Sequence, residues 1–238
     1  MKVPFHAGQQ SSGDYNASFL FFPVGWLPLW FFAGLRPSPY DRPRSAPTAS
    51  WFLPPSVTLA NDDGLLAYHR AIAASTKLGI VLFQTPAFNF SVGLLRCLRE
   101  VPNIVGMNDE HGDMKQFVRQ WCAASDRLEL QCGVGEILAP SYFALGVKGF
   151  TSGIVNFMPR TPLPIMELLC AGQLKAAAEV VEREAMPVFD LRGQRPGYTT
   201  VVIKEGITLC GLEAGPGAAT ASAEEHSHPA RARLLAAV

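Results

Sequence analysis

From residue 51 onward, short apolar runs alternate with longer stretches in which apolar residues recur at helical spacing. This alternation is typical of β/α units, in which parallel strands are joined by helices that cover the sheet. The apolar runs predict strands at residues 51–53, 79–83, 103–107, 128–132 and 149–151. The helical spacing predicts helices at residues 63–75, 91–100, 113–124, 136–145, 162–171, 173–188 and 198–212.

The two ends of the chain lack this pattern. Residues 1–50 show no sustained period and finish in RPSPYDRPRSAPTAS, so they are predicted to be an irregular, disordered or non-native arm. Their composition also suits out-of-frame translation of GC-rich DNA, and their authenticity is left open. Residues 51–216 are predicted to form one domain, and the small, polar residues 217–238 a frayed tail.

The uncharged run FLFFPVGWLPLWFFAGL, residues 19–35, is the one candidate for a membrane segment. It is shorter than the roughly 20 residues that a spanning helix needs. Pro23 and Pro28 would each remove a helical hydrogen-bond donor. Membrane association is therefore not expected.

Charge and cysteine content narrow the function classes. The chain has 20 basic and 20 acidic residues among 238, with no basic run, so nothing favours a nucleic-acid partner. The 5 cysteines are widely spaced, without a C-x-x-C pair. They are predicted to be reduced core residues of a cytoplasmic protein.

Two helix starts carry local capping signals. Ser91 and Asp113 precede helical segments and are predicted N-caps, because their side-chain oxygens can accept a hydrogen bond from an exposed amide. Gln116, three residues after Asp113, is predicted to reach back and complete a capping box.

Reactive side chains of parallel β/α barrels lie at the carboxyl ends of the strands. The segment NDEHGD follows one predicted strand and places Asp109 and His111 there, where either could act as a general acid or base. Its acidic residues are too close in sequence to share one ion outside a dedicated loop, so no metal site is predicted.

Two further strand ends could bind an anionic substrate. CGVGE places Gly133 between a strand and a helix, where backbone amides are accessible. FTSGIVNFMPR likewise places Ser152, Gly153 and Asn156 at the end of the last predicted strand. The glycines in both segments would also be explained if their role is only to allow a tight turn of the backbone.

The segments FLPP, VLFQTP, NIVGMNDEHGD, LQCGVGE and VKGFTSGIVNFMPR occur in an order and spacing that resembles the dihydrodipicolinate synthase and N-acetylneuraminate lyase family. The continuation GYTTVVIKEGITLCGLEAGP is most similar to the 5-dehydro-4-deoxyglucarate dehydratase branch. The resemblance implies an eight-stranded (β/α) barrel that forms oligomers, uses no cofactor and acts on 2-keto acids or sugar acids. In that family a lysine on the sixth strand forms a Schiff base with the substrate.

Under this resemblance the chain supplies a partial TIM barrel, from about the fourth strand to the eighth plus the C-terminal helices. Asn108 falls at the position of the Schiff-base lysine, and its amide is not a nucleophile toward carbonyl groups. Phe83 falls at the position of the proton-relay tyrosine and has no hydroxyl. Phe88 falls near the position of an arginine that helps to hold substrate in the synthase branch.

Three functional hypotheses follow. The preferred one is a truncated, inactive homologue of Schiff-base-forming lyases and dehydratases. The second is an active keto-acid lyase or dehydratase with an altered mechanism that uses Asp109 or His111. The third is a non-catalytic interaction subunit, which forms a homo-oligomer or pairs with an intact barrel.

Overall fold

The computed structural model of the chain describes residues 31–33, 49–52, 61–195, 197–212 and 214. Most of residues 1–50 and all of the predicted tail, 217–238, lie outside this part of the chain. The strands are β1 (Phe31–Ala33), β2 (Ala49–Phe52), β3 (Gly79–Gln84), β4 (Ile104–Asp109), β5 (Glu129–Cys132) and β6 (Phe150–Ser152). The α-helices are α1 (Asp62–Ser75), α2 (Val92–Leu98), α3 (Met114–Ala124), α4 (Ala139–Phe143), α5 (Pro162–Cys170), α6 (Leu174–Val180), α7 (Met186–Gly193) and α8 (Tyr198–Leu209).

The strands form one sheet in the order β1-β6-β5-β4-β3-β2. From β2 to β6 each neighbouring pair is parallel, in chain order, as successive β/α units require. All of the strands predicted from apolar runs are confirmed, and the sheet is that of a partial β/α barrel. No helix within the described residues is both long enough and apolar enough to cross a membrane.

Strand β1 lies within the arm that was predicted to be irregular. Residues Phe31–Ala33 pair antiparallel with β6, with Phe32 opposite Thr151. The cause is physical: the outer edge of β6 presents unpaired backbone groups, and two adjacent phenylalanines favour the extended conformation that satisfies them. Residues Phe31–Ala33 therefore cover one edge of the sheet.

Helices pack on one face of the sheet and form the main apolar core with it. The strand side chains in this core are Ile80, Leu82, Ile104, Met107, Leu130, Cys132 and Phe150. Side chains alternate along a strand, so the intervening positions point to the opposite, inner face. There Phe83, Asn108 and Gln131 are buried without joining the helix-side core.

A β-bulge in β4 decides which residues reach the inner face. Ile80 pairs with Ile104 but Val81 pairs with Gly106, so Val105 is left over and exposed. The extra residue reverses the alternation: Ile104 and Met107 both face the helices although three positions separate them. Asn108 consequently lies on the inner face.

The predicted N-caps are confirmed. The side chain of Ser91 accepts from the amide of Leu94 at 3.0 Å, and Asp113 Oδ1 accepts from the amide of Gln116 at 3.1 Å. The capping box is wrong, because Gln116 Nε2 donates instead to the carbonyl of Phe90 at 3.2 Å. A buried carbonyl on the neighbouring loop competes for that amide.

Two predicted helices and the cysteines also differ from expectation. The segment 136–145 contains only the short helix α4, and 173–188 is interrupted by a π-helical turn at Val181–Ala185. Cys132 is buried as predicted, and burial raises the pKa of its thiol. The other cysteines lie on the solvent side of helices or beside α8 and are exposed and unpaired: Cys97, Cys122, Cys170 and Cys210.

Candidate functional site

The inner face carries a row of three side chains from neighbouring strands. Phe83 on β3 is in register with Asn108 on β4, which is in register with Gln131 on β5. Asn108 is 0% exposed, and neither its Nδ2 nor its Oδ1 has a hydrogen-bond partner. Gln131 Oε1 is also buried without a partner. Unpaired buried amides are rare in folded proteins, and this pair therefore marks a candidate ligand site.

Asp109 lies on the opposite side of β4 from Asn108. Its carboxyl group is fully buried and accepts from Gln84 Nε2 at 2.9 Å, from the Tyr142 hydroxyl at 2.6 Å and from the amide of His111 at 2.9 Å. Burial and the neighbouring Asp109 raise the pKa of Tyr142 and keep its hydroxyl a donor. This placement favours a structural role for Asp109, and its predicted proton transfer gains no support from the geometry.

The Asp109 network continues between the sheet and helix α3. Gln84 and Gln120 exchange side-chain hydrogen bonds of 3.2 and 2.8 Å. Both glutamines also bond the backbone of Phe90, on the loop that follows β3. These buried polar groups satisfy one another, so the network fixes the carboxyl ends of β3 and β4 beside the site.

Gly133 lets the loop after β5 approach β4 closely. A Cβ atom there would lie 2.6 Å from Asn108 Nδ2 and 2.7 Å from the carbonyl oxygen of Asp109. The amide of Gly133 donates to that same carbonyl at 2.8 Å. Gly133 thus borders Asn108, as the predicted site requires, but its backbone amide is already bonded within the protein.

The predicted substrate-binding residues at the end of β6 lie together and make hydrogen bonds within their own segment. The Ser152 hydroxyl accepts from the amide of Val155 at 3.1 Å, and Asn156 Nδ2 donates to the carbonyl of Gly153 at 2.8 Å. These bonds shape the short 3₁₀ turn Ile154–Asn156 at the carboxyl end of the sheet. The Ser152 hydroxyl also lies near Glu136 and opposes the rise in the pKa of its carboxyl group.

Three charged residues meet above these strand ends: Glu110 after β4, Glu136 after β5 and Arg192 on α7. Glu110 is two residues beyond Asn108 and so follows it on the same face. Burial raises the pKa of both carboxyl groups to about 7, against the opposing attraction of Arg192. The nearby Asp109 adds to the shift at Glu110, and the Ser152 hydroxyl opposes the shift at Glu136.

Arg192 is held by packing. Its guanidinium carbon lies 4.8 Å from the centroid of the Phe189 ring, and a Cβ atom at Gly153 would lie 3.7 Å from its Nη2. Burial lowers the pKa of Arg192, whereas Glu136 and Glu110 raise it. None of the ion pairs within 4.0 Å among the described residues joins Arg192 to either carboxyl group.

Sequence analysis missed Arg192 and gave no role to Glu136 or Gln131. Arg192 is 40 residues beyond Ser152 in the numbering, on a helix with no motif of its own, so no spacing pattern could place it. Glu136 did carry a signal, since it follows a glycine pair at a predicted strand end. His111, a predicted proton-transfer residue, is half-buried and its Nδ1 lacks a partner.

The described lysines lie outside the strands of the sheet. Lys77, Lys115, Lys148 and Lys175 are exposed, and Lys204 is partly exposed on α8. Lys77 and Lys148 precede β3 and β6, so they lie at the amino end of the sheet, opposite the candidate site. Within the described residues, no lysine occupies the inner face.

A parallel β/α sheet with polar groups gathered at the carboxyl ends of its strands is the architecture of TIM-barrel enzymes. The family model described as the dihydrodipicolinate synthetase family matches residues 48–237, and the chain belongs to that family.

The relatives agree with this assignment. The chain is 34% identical over 170 residues to a protein of Saccharopolyspora erythraea named "Probable 5-dehydro-4-deoxyglucarate dehydratase", covering 69% of this chain and 54% of the relative. A Variovorax paradoxus protein of the same name is 31% identical over 167 residues, with 69% and 55% covered. The predicted likeness to that branch is confirmed, and the chain spans about half the length of these curated relatives.

Solved structures confirm the fold. Dihydrodipicolinate synthase from Oceanobacillus iheyensis superimposes with a TM-score of 0.69 at 24% identity, over 80% of this chain and 63% of the other.

Proposed function

We propose that this chain is an inactive homologue of the Schiff-base-forming lyases and dehydratases, one that has kept a ligand site but lost covalent catalysis. The supporting observation is Asn108, buried on the inner face at the position that the family resemblance assigns to the lysine. The proposal concerns only the Schiff-base chemistry at the position of Asn108. That residue is on β4, which corresponds to the sixth strand of the family barrel.

The chemistry of the side chains gives the reason. A Schiff base needs an amine with a free lone pair, whereas the nitrogen lone pair of an asparagine amide is delocalised into its carbonyl. Phe83, the neighbour in register, has no hydroxyl to move a proton. None of the strands as described carries a lysine that could substitute.

The ligand we propose is a 2-keto acid or sugar acid. The curated relatives are named for 5-dehydro-4-deoxyglucarate dehydratase. The unpaired Nδ2 of Asn108 can donate to an oxygen atom of such a molecule, and Oδ1 of Asn108 and Oε1 of Gln131 can accept from its hydroxyl groups. Binding would be non-covalent, with Asn108 Nδ2 donating to the keto oxygen where the family forms a covalent bond.

The test is borohydride trapping. We expect the purified chain, incubated with pyruvate and then borohydride, to keep its intact mass, while an authentic Schiff-base aldolase treated in parallel gains the reduced adduct. Asn108→Lys is the matched variant, and an adduct on its introduced amine would show that the inner face still admits a keto acid. A reduced adduct on the unaltered chain would refute the proposal and, after peptide mapping, identify the lysine responsible.

A further inference from the structure

Glu110 brings an ionisable carboxyl group to the same face of the sheet as Asn108. The amide of Glu110 donates to the carbonyl of Gln84 at 2.9 Å, so the pairing of the two strands continues one residue beyond β4. Side chains alternate along this extended backbone, and Glu110 therefore lies on the inner side. Two residues of a strand span roughly 6.6 Å, which sets the distance along the strand between Asn108 and Glu110.

The carboxyl group of Glu110 is enclosed by the protein without being neutralised by it. Its Oε1 is buried and has no hydrogen-bond partner. Within the part of the chain that the structure describes, no ion pair within 4.0 Å joins Glu110 to Arg192. Burial raises the pKa of the Glu110 carboxyl group to about 7. Near neutral pH the group is therefore present in both its charged and its uncharged form.

Charged and titratable groups surround Glu110 on several elements. Arg192 on α7 lowers the pKa of Glu110, and Asp109 on the same strand raises it. His111 follows Glu110 directly, and Glu136 lies after β5. Strand β3, which pairs alongside, has the sequence GIVLFQ and contributes no charged side chain. A ligand carboxylate would compete with the Glu110 carboxylate for the attraction of Arg192.

A 2-keto acid carries its negative charge beside its keto group. Its carboxylate is bonded directly to the keto carbon, so a keto oxygen that accepts from Asn108 Nδ2 places the charge close to the same amide. Like charges less than about 10 Å apart repel more strongly in a buried site than in water, because the protein interior screens them less. Ionised Glu110 therefore opposes the anion, whereas protonated Glu110 carries no charge and can donate a hydrogen bond to it.

We propose that Glu110 determines the charge selectivity of the Asn108 site: its protonated form accepts a 2-keto acid, and its ionised form excludes one. Binding of the anion then draws one proton from solvent onto Glu110 in every chain in which that group was ionised. This inference rests on the proposed non-covalent ligand site. It deepens that proposal by coupling the binding of an anion to the uptake of a proton.

Saturation-transfer NMR with the full chain measures the coupling at about pH 6, 7 and 8. The probe is pyruvate, which stays an anion over this range. Hydroxyacetone, which has an uncharged hydroxymethyl group in place of the carboxylate, is the matched comparison compound. With a pKa of about 7, the protonated fraction of Glu110 falls about tenfold from pH 6 to pH 8. We expect the dissociation constant of pyruvate to rise about tenfold over this range and that of hydroxyacetone to stay constant.

Variants assign the pH dependence to one residue. Glu110→Gln should bind pyruvate equally well at all three pH values, because an amide does not ionise. Glu136→Gln and His111→Gln remove the other titratable groups beside the site and should keep the dependence, as should exposed Glu182→Gln. Circular dichroism checks each fold, and Glu110→Ala, which also has no group to ionise, replaces Glu110→Gln if the latter does not fold.

Two results would overturn this role of Glu110: a pyruvate affinity of the unaltered chain that does not change with pH, or a pH dependence that persists in Glu110→Gln. If hydroxyacetone binds in either case, the ligand site at Asn108 stands and only the coupling is wrong. If neither compound binds to the unaltered chain or to Glu110→Gln, the ligand site is wrong and the coupling with it. The borohydride experiment would still decide whether covalent catalysis is lost.

Discussion

Glu136 shows how one buried side chain links the site to the stability of the fold. Its carboxyl group is 0% exposed, and burial raises its pKa from 4.5 to about 7. The folded chain therefore holds this proton more tightly than the unfolded chain does. The stabilisation is complete below pH 4.5 and is lost as the pH rises through about 7, because the charged form is then buried.

The corresponding prediction concerns Glu136→Gln. The neutral glutamine keeps the shape of the side chain and removes the titration, so the variant should lose less stability between about pH 5 and 8 than the unaltered chain. The pKa shift of Glu136 corresponds to a change of about 3 kcal/mol in the free energy of unfolding over the whole pH range of the titration. Urea denaturation at each pH measures it, and parallel curves for both proteins would contradict the assigned pKa. Exposed Glu182→Gln is the control.

At the scale of elements, helix α8 is positioned by contact with the turn after β6. Gly206 on α8 packs against Phe157, and a Cβ at Gly206 would lie 2.5 Å from the Phe157 ring. The same helix contributes Ile203, which lies against Gly153. The junction of α8 with the 3₁₀ turn thus fixes one wall of the region that contains Arg192.

Gly206→Ala should therefore destabilise the chain by about 1–3 kcal/mol, because the ring or the helix must move. Gly193→Ala, at the end of α7, is the matched control: nothing lies within 4 Å of its Cβ position. That substitution should be neutral or stabilising by up to about 1 kcal/mol, through the loss of unfolded-chain entropy. Denaturant midpoints compare the two, and equal effects would refute the proposed packing.

The strands and their order could be predicted from the sequence because apolar runs at β/α spacing leave few topologies. The bulge at Val105 could not, since nothing in IVGMND marks one residue as extra, and the inner position of Asn108 came from the resemblance alone. The role of Arg192 could not be predicted from the sequence either, because tertiary packing and not sequence spacing brings α7 over β6. Glu136 was visible at a strand end, but its burial depends on that same packing.

At the scale of the whole molecule, the two sides of the sheet end in different kinds of strand: antiparallel β1 at one side and parallel β2 at the other. β1 pairs along β6, whereas β2 is the last strand at the other side among the described residues. If the chain acts as an interaction subunit, a partner strand that continues the parallel order would pair at β2, because pairing with β6 would first require the release of β1.

Proline substitutions test the β1 pairing. In an antiparallel pair, successive residues of one strand direct their amides alternately toward and away from the partner. Of Phe31→Pro and Phe32→Pro, one should accelerate amide exchange in Phe150–Ser152 about five- to tenfold, the equivalent of roughly 1 kcal/mol for one lost hydrogen bond. The other is its internal control. Unchanged exchange in both variants would mean that the arm does not pair with β6 in solution.

The bulge at Val105 has a consequence for engineering. Because Val81 already pairs with Gly106, the supernumerary residue can be removed without shifting the register of the strand beyond it. Deleting Val105 would return β4 to regular alternation and leave Asn108 on the inner face and Asp109 on the helix side. A single-codon deletion there would alter the local twist of the strand but keep the chemistry of the inner face.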